Sequence, residues 1–229
     1  MACFAKSISN AHPYRGSSEI NFLLSDEGRL SVTIDTDRLH MRSVEATDAD
    51  YDRYAALFGD KDVMQKFATG ETKTRDEVKK RIDDVWAKRW RENDPYSGFA
   101  VFKKDTDEFV GHVVLGRGGD PGQAELAGLG NYSFWENGYG TEAARAIVQD
   151  YVPAVVRAGY LLDGKPLQTI VATARLDNPA SSRILEKIGM KLIREEEKYG
   201  ALRRQYSIDL SEYLAQPSEK TSNVWHSVA

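Results

Sequence analysis

The sequence is poor in the residues that build disulfide frameworks and metal centres. It contains one cysteine, Cys3, among 229 residues, so no disulfide can form within the chain. Its four histidines, His12, His40, His112 and His226, show no ligand spacing, which predicts that the protein holds no metal. A low cysteine content also suits a reducing compartment, so we expect a cytoplasmic protein.

Two further absences narrow the class of partner. No apolar run approaches the roughly 18 residues of a membrane span, and the start MACFAKSISN does not resemble a secretory signal. The 31 Lys and Arg residues are outnumbered by 35 Asp and Glu residues, which gives a net charge of −4. A nucleic-acid-binding surface normally needs a basic excess, so we expect neither a nucleic acid nor a membrane as partner.

The order of predicted elements indicates a mixed α/β (α+β) domain with one sheet. A strand at 38–44 precedes helices at 47–58 and 74–90, and each helix starts with a Thr followed three residues later by an acidic residue. Three strands follow in FAVFKK, EFVGHVVLG and AELAGLG. A helix that Pro153 should kink or end, a loop at 159–167, a strand, a second helix and two strands complete the order.

Three regions are predicted along the chain. Residues 36–213 form the domain, residues 1–35 form an N-terminal extension with a short strand in EINFLL, and residues 214–229 form a solvated tail. The extension and the loop at 159–167 carry no recognisable signature. Either can shape a binding site or a contact in a homodimer.

Two glycines stand where a predicted strand passes into a helix, in WENGYGTEA at 135–143. One interpretation is that Gly138 and Gly140 only permit a tight turn. The other is an anion site, because a helix N-terminus presents unpaired N–H groups and partial positive charge, and glycine lets a phosphate approach without meeting a Cβ. The pattern lacks a third Rossmann glycine and is no P-loop. The site would need no basic residue to hold a pyrophosphate.

Three ordered motifs together resemble the GNAT superfamily of N-acetyltransferases, and within it the RimJ/RimL-type branch. They are TDRLHMR at 36–42, WENGYGTEA at 135–143 and NPASSRILEKIGM at 178–190. The resemblance covers about residues 36–213. It implies a twisted mixed sheet that is splayed between its fourth and fifth strands and flanked by helices, with acetyl-CoA lying in the gap.

The resemblance also implies which residues bind the cofactor. Backbone groups of the fourth strand would pair with the pantetheine, and amides at the helix start would hold the pyrophosphate. Glu136 departs from the family, which usually has glycine there, and a carboxylate beside a pyrophosphate repels it unless it points away. The implied cofactor-binding residues are Gly128, Leu129, Gly130, Trp135, Glu136, Asn137, Gly138, Tyr139, Gly140, Thr141, Asn178 and Ser181.

The chemistry implied by the resemblance is attack of an amine on the thioester. Leu185 replaces the tyrosine that protonates the leaving thiolate in much of the superfamily, so Ser181, one helical turn earlier, becomes the candidate acid or simply a residue of the helix start. Glu125 is the candidate base or else an ordinary strand charge, and His112 is a weaker candidate. Tyr199 could position the acceptor or only pack in a hairpin.

The resemblance leaves the acceptor open among protein N-termini, polyamines and other small amines. The acidic stretches DTD at 105–107 and REEEK at 194–198 would suit a cationic acceptor, or they are solvated surface charge. Two other functions stay open beside the acetyltransferase: a CoA-binding module of the same fold without transfer activity, and an unrelated α/β domain that binds another phosphate ligand.

Overall fold

A computed structural model of the protein describes residues 4–9, 18–211 and 225–227. Cys3, His12 and most of the predicted tail lie outside these residues. The described strands are β1 (Phe4–Ser9), β2 (Glu19–Leu24), β3 (Leu30–Asp35), β4 (Leu39–Ser43), β5 (Gly98–Lys103), β6 (Phe109–Arg117), β7 (Gln123–Gly130), β8 (Leu161–Leu162), β9 (Lys165–Pro166), β10 (Thr169–Arg175), β11 (Lys191–Lys198), β12 (Ala201–Asp209) and β13 (Trp225–Ser227).

Helices separate several of these strands. They are α1 (Asp48–Gly59), α2 (Lys61–Met64), α3 (Arg75–Arg81), α4 (Ala87–Arg91), α5 (Tyr139–Arg145), α6 (Val152–Arg157) and α7 (Pro179–Lys187). Widened π-helical turns at Ile82–Trp86 and Ala146–Tyr151 join α3 to α4 and α5 to α6, so each pair forms one continuous helical rod.

Eleven of the described strands form one mixed sheet in the order β11-β12-β10-β7-β6-β5-β4-β3-β2-β1-β13. Its one parallel pair among the described strands is β7 with β10, and the helices α5 and α6 lie in the connection between them. This pairing covers three residues on each strand, 123–125 and 169–171. Beyond Glu125 and Val171 the two strands run on without further pairing to each other, so a gap opens in the sheet there.

The sheet buries an apolar core on each face. The core on the side of α5–α7, called here the α5-side core, takes Ile147, Tyr151 and Leu185 from the helices. The core on the side of α1–α4, called the α1-side core, takes Tyr54 and Trp86. Side chains alternate across the sheet along a strand, and the central strands β5, β6 and β7 contribute to both cores.

The predicted helix starts are confirmed. The Thr47 side chain accepts a hydrogen bond from the backbone N–H of Asp50 at the start of α1. Thr74 and Glu77 form a reciprocal capping box at the start of α3. In both places a short polar side chain satisfies an N–H group that has no partner within its own helix.

Three features differ from the sequence-based expectations. Pro153 does not end its helix, because it lies in the first turn of α6, directly after the π-helical turn, where its missing N–H is tolerated. The loop at 159–167 contains the small β8–β9 hairpin. β3 was not predicted, and β2 and β3 continue the sheet beyond β4, so residues 19–35 share the sheet with the predicted domain.

A buried ion pair joins β4 to α1. Asp50 is completely buried and accepts hydrogen bonds from both terminal nitrogens of Arg42, at 2.8 and 2.6 Å, and from Arg53 at 3.1 Å. Burial raises the pKa of Asp50, but the hydrogen bonds from Arg42 and from the backbone N–H of Glu45 outweigh it, so the pKa lies below its ordinary value. This carboxylate therefore holds helix α1 against the sheet.

Replacing Asp50 by Asn should lower the free energy of unfolding by about 3 kcal/mol at neutral pH, because it leaves a partly buried guanidinium without its counter-charge. Since the folded pKa of Asp50 is depressed, its contribution is complete above the unfolded pKa and is lost as the pH falls through the folded one. Urea unfolding of both proteins should show the difference shrinking with acidification. Asp48→Asn, in the same helix but 88% exposed, is the control and should change little.

Candidate functional site

Gly138 forms the N-terminus of α5 in a conformation that favours glycine. Its φ is +79°, and no side chain caps the helix that follows. The first helical hydrogen bond runs from the N–H of Glu142 to the carbonyl of Gly138, so the N–H groups of the first turn have no helical acceptor. Uncapped amides at the start of a helical rod that runs from 139 to 157 have the geometry to accept an anion.

Gly140 has a different role from Gly138. A Cβ placed on Gly140 would lie 3.2 Å from Cδ1 of Ile184 in α7, which is tighter than an ordinary contact. A Cβ on Gly138 would meet Arg38 Nη2 at an ordinary 3.5 Å. Gly138 therefore allows the left-handed turn and leaves the helix end uncovered. Gly140, in contrast, lets α5 and α7 approach each other beside the gap in the sheet.

Glu136 adopts a left-handed conformation, with φ of 65°. For a residue with a Cβ, this conformation costs roughly 1–2 kcal/mol of free energy, which gives a physical reason why a glycine suits this position. The side chain is exposed, so the carboxylate has room to turn away from the helix end.

The Trp135 side chain forms a hydrogen bond with the backbone of β7. Its indole Nε1–H donates to the carbonyl of Gly130, the last residue of β7, at 2.8 Å. Its ring packs against Tyr132, with the ring centroids 4.8 Å apart, and both rings are about half exposed. A molecule that pairs with β7 through Gly130 would therefore compete with Trp135 for this carbonyl.

Glu142 ties the helix end to the turn between β3 and β4. Its carboxylate accepts from the Thr36 hydroxyl at 2.6 Å, from the Arg38 backbone N–H at 3.0 Å and from Arg38 Nε at 2.7 Å. Burial raises the pKa of Glu142, but these hydrogen bonds outweigh it and lower the pKa. We call this contact the Glu142 clasp. It fixes the start of α5 relative to the sheet.

Arg38 brings positive charge to the glycine loop. Its Nη1 donates to the carbonyl of Asn137 at 3.0 Å, and its guanidinium lies over the ring of Tyr139 at 4.7 Å. The sequence analysis expected a site that needs no basic residue and did not identify Arg38 as a neighbour of this loop. Residues 38 and 142 are 104 positions apart, and nothing in the spacing of either motif indicates that they meet.

The start of α7 faces the same gap. The Asn178 side chain accepts from the backbone N–H of Ser181 at 3.2 Å, so Asn178 caps the helix. Ser181 is half-buried, and Leu185, one turn later, packs in the α5-side core. The neighbouring Ser182 is buried, and its hydroxyl has no hydrogen-bond partner among the described residues.

The opposite face of the gap carries charged groups. Glu125 ends the paired part of β7, and its carboxylate lies 3.5 Å from Lys198 Nζ. Burial lowers the pKa of Lys198, but Glu125 and Tyr199 outweigh it and raise the pKa. Tyr199 lies in the β11–β12 turn with a half-exposed ring, 5.0 Å from Lys198 Nζ. The structure thus brings Glu125 and Tyr199 to one side of the gap and the glycine loop to the other.

His112 belongs to the interior. It is buried among aromatic rings, and its Nδ1 lies 2.9 Å from the Tyr54 hydroxyl and 3.2 Å from the carbonyl of Phe99. Burial lowers its pKa to about 3, so the ring is neutral at neutral pH. Its burial and its aromatic surroundings favour a structural role, although it pairs with Leu129 of β7.

The remaining predicted residues lie along the same path. Gly128, Leu129 and Gly130 form the end of β7 that pairs with β6 but not with β10, with the Leu129 side chain in the α1-side core. Thr141 lies half-buried in the first turn of α5. Within the described ranges, no cluster of three or more His, Cys, Asp or Glu side chains could hold a metal ion. In that same part of the chain, no helix has the length and apolar character to cross a membrane.

Comparison with known proteins gives one family. The family model described as "Acetyltransferase (GNAT) domain" matches residues 38–191. The uncharacterized N-acetyltransferase YnaD of Bacillus subtilis (strain 168) is 30% identical over 93 residues, which are 41% of this chain. The match spans about half of that relative, 49% of its length.

Solved structures share the fold at low sequence identity. The RimL ribosomal L7/L12 alpha-N-protein acetyltransferase in complex with coenzyme A superposes with a TM-score of 0.60 at 16% identity, over 76% of this chain and 95% of that chain. Spermidine N-acetyltransferase from Vibrio cholerae, in complex with CoA and spermine, gives 0.60 at 16% identity, over 77% and 98%.

Glu142→Gln should loosen the glycine loop, because the amide keeps the size of the side chain but loses the charge that the Arg38 guanidinium contacts. We expect a loss of about 2 kcal/mol in the free energy of unfolding and faster hydrogen exchange at 135–140. Mass spectrometry measures the rate of hydrogen exchange both in the loop and in distant strands, which serve as an internal reference. Glu136→Gln removes a neighbouring exposed carboxylate and should leave exchange unchanged; equal exchange in the two variants would contradict the role of the Glu142 clasp.

Proposed function

Since the chain belongs to the GNAT acetyltransferase family, we propose that it is an acetyl-CoA-dependent N-acetyltransferase of the RimJ/RimL-type branch. The transferase domain of this proposal is 36–213, with 1–35 as an extension and 214–229 as a tail. The acceptor is a primary amine, either a small molecule or a protein N-terminus. A cytoplasmic location and a homodimer belong to the same proposal.

The observation that carries the proposal is the gap beside an uncapped helix end. β7 and β10 part after Glu125 and Val171, and the open start of α5 lies where β7 ends. A pyrophosphate fits this end, because its amides lack side-chain acceptors and Gly138 presents no Cβ. The Arg38 guanidinium, half exposed beside Asn137, adds a positive charge within the same loop.

Cofactor and acceptor would meet in the gap from opposite faces. Acetyl-CoA supplies the activated acetyl group. The backbone of Gly128–Gly130, on its side that does not pair with β10, would orient its pantetheine arm, with Trp135 released from Gly130, and the first turn of α5 would hold its phosphates. Asn178 and Ser181, at the start of α7, would line the path beside the thioester.

Transfer requires a neutral amine and a proton for the leaving thiolate. The amine nitrogen forms the new bond to the acetyl carbon, the carbon–sulfur bond breaks, and the amine loses a proton. Glu125 is the proposed acceptor of that proton, either directly or through water, and Lys198 Nζ lies 3.5 Å from its carboxylate. The Ser181 hydroxyl is the proposed donor to the thiolate, and Tyr199 lies where it can orient the amine.

A second candidate function is CoA binding without efficient transfer. Leu185 stands at the position of the usual acid and is packed into the α5-side core, so no proton donor comes from that side chain. Release of free thiol from acetyl-CoA in the presence of a panel of amines separates the two functions. A binding module would bind acetyl-CoA and release no thiol above the uncatalysed rate.

Two substitutions should move acetyl-CoA affinity in opposite directions. Gly138→Glu places a side chain and a negative charge at the helix end and forces an unfavourable φ, so binding should fall at least about 100-fold. Glu136→Gly removes a like charge and backbone strain, so binding should tighten about 3- to 10-fold at low salt. Calorimetric titration with acetyl-CoA and with CoA measures both, and circular dichroism checks folding. Unchanged binding by folded Gly138→Glu protein would place the cofactor elsewhere.

Ser181→Ala should lower kcat about 10- to 100-fold with little change in acetyl-CoA affinity, because the hydroxyl would act on the thiolate that forms during the reaction. Ser182→Ala is the matched control, since it removes the next hydroxyl along α7 and should leave kcat unchanged. Thiol release under saturating acetyl-CoA is the measurement. Equal turnover of wild-type protein and Ser181→Ala would restrict Ser181 to the helix start.

A further inference from the structure

A buried arginine lies on the face of the sheet that the acceptor would approach. Ala124 and Leu126 of β7 belong to the α5-side core and Leu129 to the α1-side core, so Glu125 faces the α1 side. Arg203 in β12 pairs directly with Arg175 at the end of β10. It contacts the α2–α3 loop on that same α1 side, at Ala68.

Arg203 is buried without a carboxylate partner. It is 4% exposed, its Nε donates to the carbonyl of Lys198 at 3.2 Å, and its Nη2 donates to the carbonyl of Ala68 at 2.5 Å. Within residues 18–211, no carboxylate oxygen lies within ion-pairing distance of it and its Nη1 has no hydrogen-bond partner, while its Cζ lies 5.2 Å from the centroid of the Tyr199 ring. A buried charge normally needs a counter-charge, so this guanidinium has capacity for an anion.

The carboxylates around Arg203 are already occupied. Glu125 pairs with Lys198 at 3.5 Å, and Asp177 pairs with Arg175 at 2.9 Å. Burial lowers the pKa of Arg203 and Arg175 lowers it further, whereas Tyr199, Glu125 and Asp177 act in the opposite direction without outweighing them. Among these groups, the cations Arg175, Lys198 and Arg203 outnumber the carboxylates Glu125 and Asp177 by one.

The acidic stretch on β11 does not reverse this balance. Glu195 pairs with Arg204 at 3.1 Å, and Glu196 pairs with Arg194 at 2.8 Å. In the β5–β6 turn, Asp105 lies 3.4 Å from Lys103 Nζ. Three carboxylates of the acidic stretches thus have cationic partners, which weakens the sequence-based argument for a cationic acceptor.

A second polar group on this face also has an unused hydrogen-bond acceptor. Gln205 lies two residues after Arg203 on β12, so its side chain emerges on the same face. Its Oε1 is shielded from solvent and has no hydrogen-bond partner in the described part of the chain. An amide oxygen can accept from an N–H donor, which complements the anion-binding capacity of the guanidinium.

We propose that the acceptor is an amino acid, whose carboxylate binds Arg203 and whose amino group lies within reach of Gln205. This inference rests on the proposed acetyltransferase activity and adds the class of its substrate. Arg203 acts as a specificity-determining residue: it forms a charge-assisted hydrogen bond that an amine without a carboxylate cannot form.

The test compares amines that differ by the carboxylate alone. The pairs are L-lysine with 1,5-diaminopentane, L-arginine with agmatine, and L-phenylalanine with 2-phenylethylamine; spermidine serves as a strongly cationic acceptor. We expect kcat/KM to favour the amino acid in at least one pair by roughly 10- to 100-fold. Preference for the decarboxylated member in every pair, or for spermidine over all amino acids, would overturn the inference while leaving the transferase activity intact.

Arg203→Met should abolish the preference for the carboxylate by raising KM for the amino acid, with little change for the matched amine. Arg204→Met removes the neighbouring arginine, which faces the other side of β12 and pairs with Glu195, and should keep the preference. Gln205→Leu should raise KM for the amino acid without altering how that KM depends on salt concentration. Loss of packing alone would slow both members of a pair equally, and that result in Arg203→Met would overturn the assignment.

Binding experiments separate this inference from the proposed function. Calorimetric titration of the protein with each amino acid and its matched amine, in the presence of CoA, measures discrimination without turnover. If acetyl-CoA does not bind, the proposed function fails, and titration of the free protein still tests Arg203. Equal binding of both members of all pairs to wild-type protein would overturn the inference in either case.

Discussion

The short parallel contact between β7 and β10 determines where everything else in the site lies. Three residue pairs join the strands, and then each continues toward a different neighbour. Backbone groups along the diverging part of β7 are left for a partner other than β10, which is an unusual state for strands inside a sheet. Because α5 begins where β7 ends and α7 begins where β10 ends, both helix starts are delivered to the edges of this gap.

The gap is held open by contacts that involve distant parts of the chain. The Glu142 clasp attaches the start of α5 to the β3–β4 turn, and close packing at Gly140 and Ile184 sets the approach of α7. On the other face, Arg203 attaches the loop after α2 to the β11–β12 hairpin. Rigid borders of this kind reduce the ordering cost of binding, since the groups that contact a ligand are placed beforehand.

Much of the domain could be predicted because its signals are local. Capping residues and apolar periodicity at Thr47 and Thr74 marked helix starts, and the motif around Gly138 marked the strand-to-helix junction. What escaped prediction depends on residues far apart in sequence: Arg38 meeting Glu142, Arg203 meeting Ala68, and the accommodation of Pro153 by a π-helical turn. The strand β3 was missed because its alternating pattern in LSVTID is short and was read as part of an extension. The roles of Ser181, Glu125 and Tyr199 stay predictions, since position near the gap does not by itself establish chemistry.

The outer strand β11 has a consequence for how the folded protein behaves in solution. It forms one edge of the sheet, and Leu192 and Ile193 are exposed on it, so it has the apolar character from which strand-by-strand self-association can start. However, the pairing of β11 with β12 is irregular between Leu192 and Arg194, and charged residues fill the rest of the strand. Such a kinked and charged border is a poor template for another strand. The protein can therefore have exposed apolar residues on the edge strand β11 of a wide sheet and still resist aggregation at that edge.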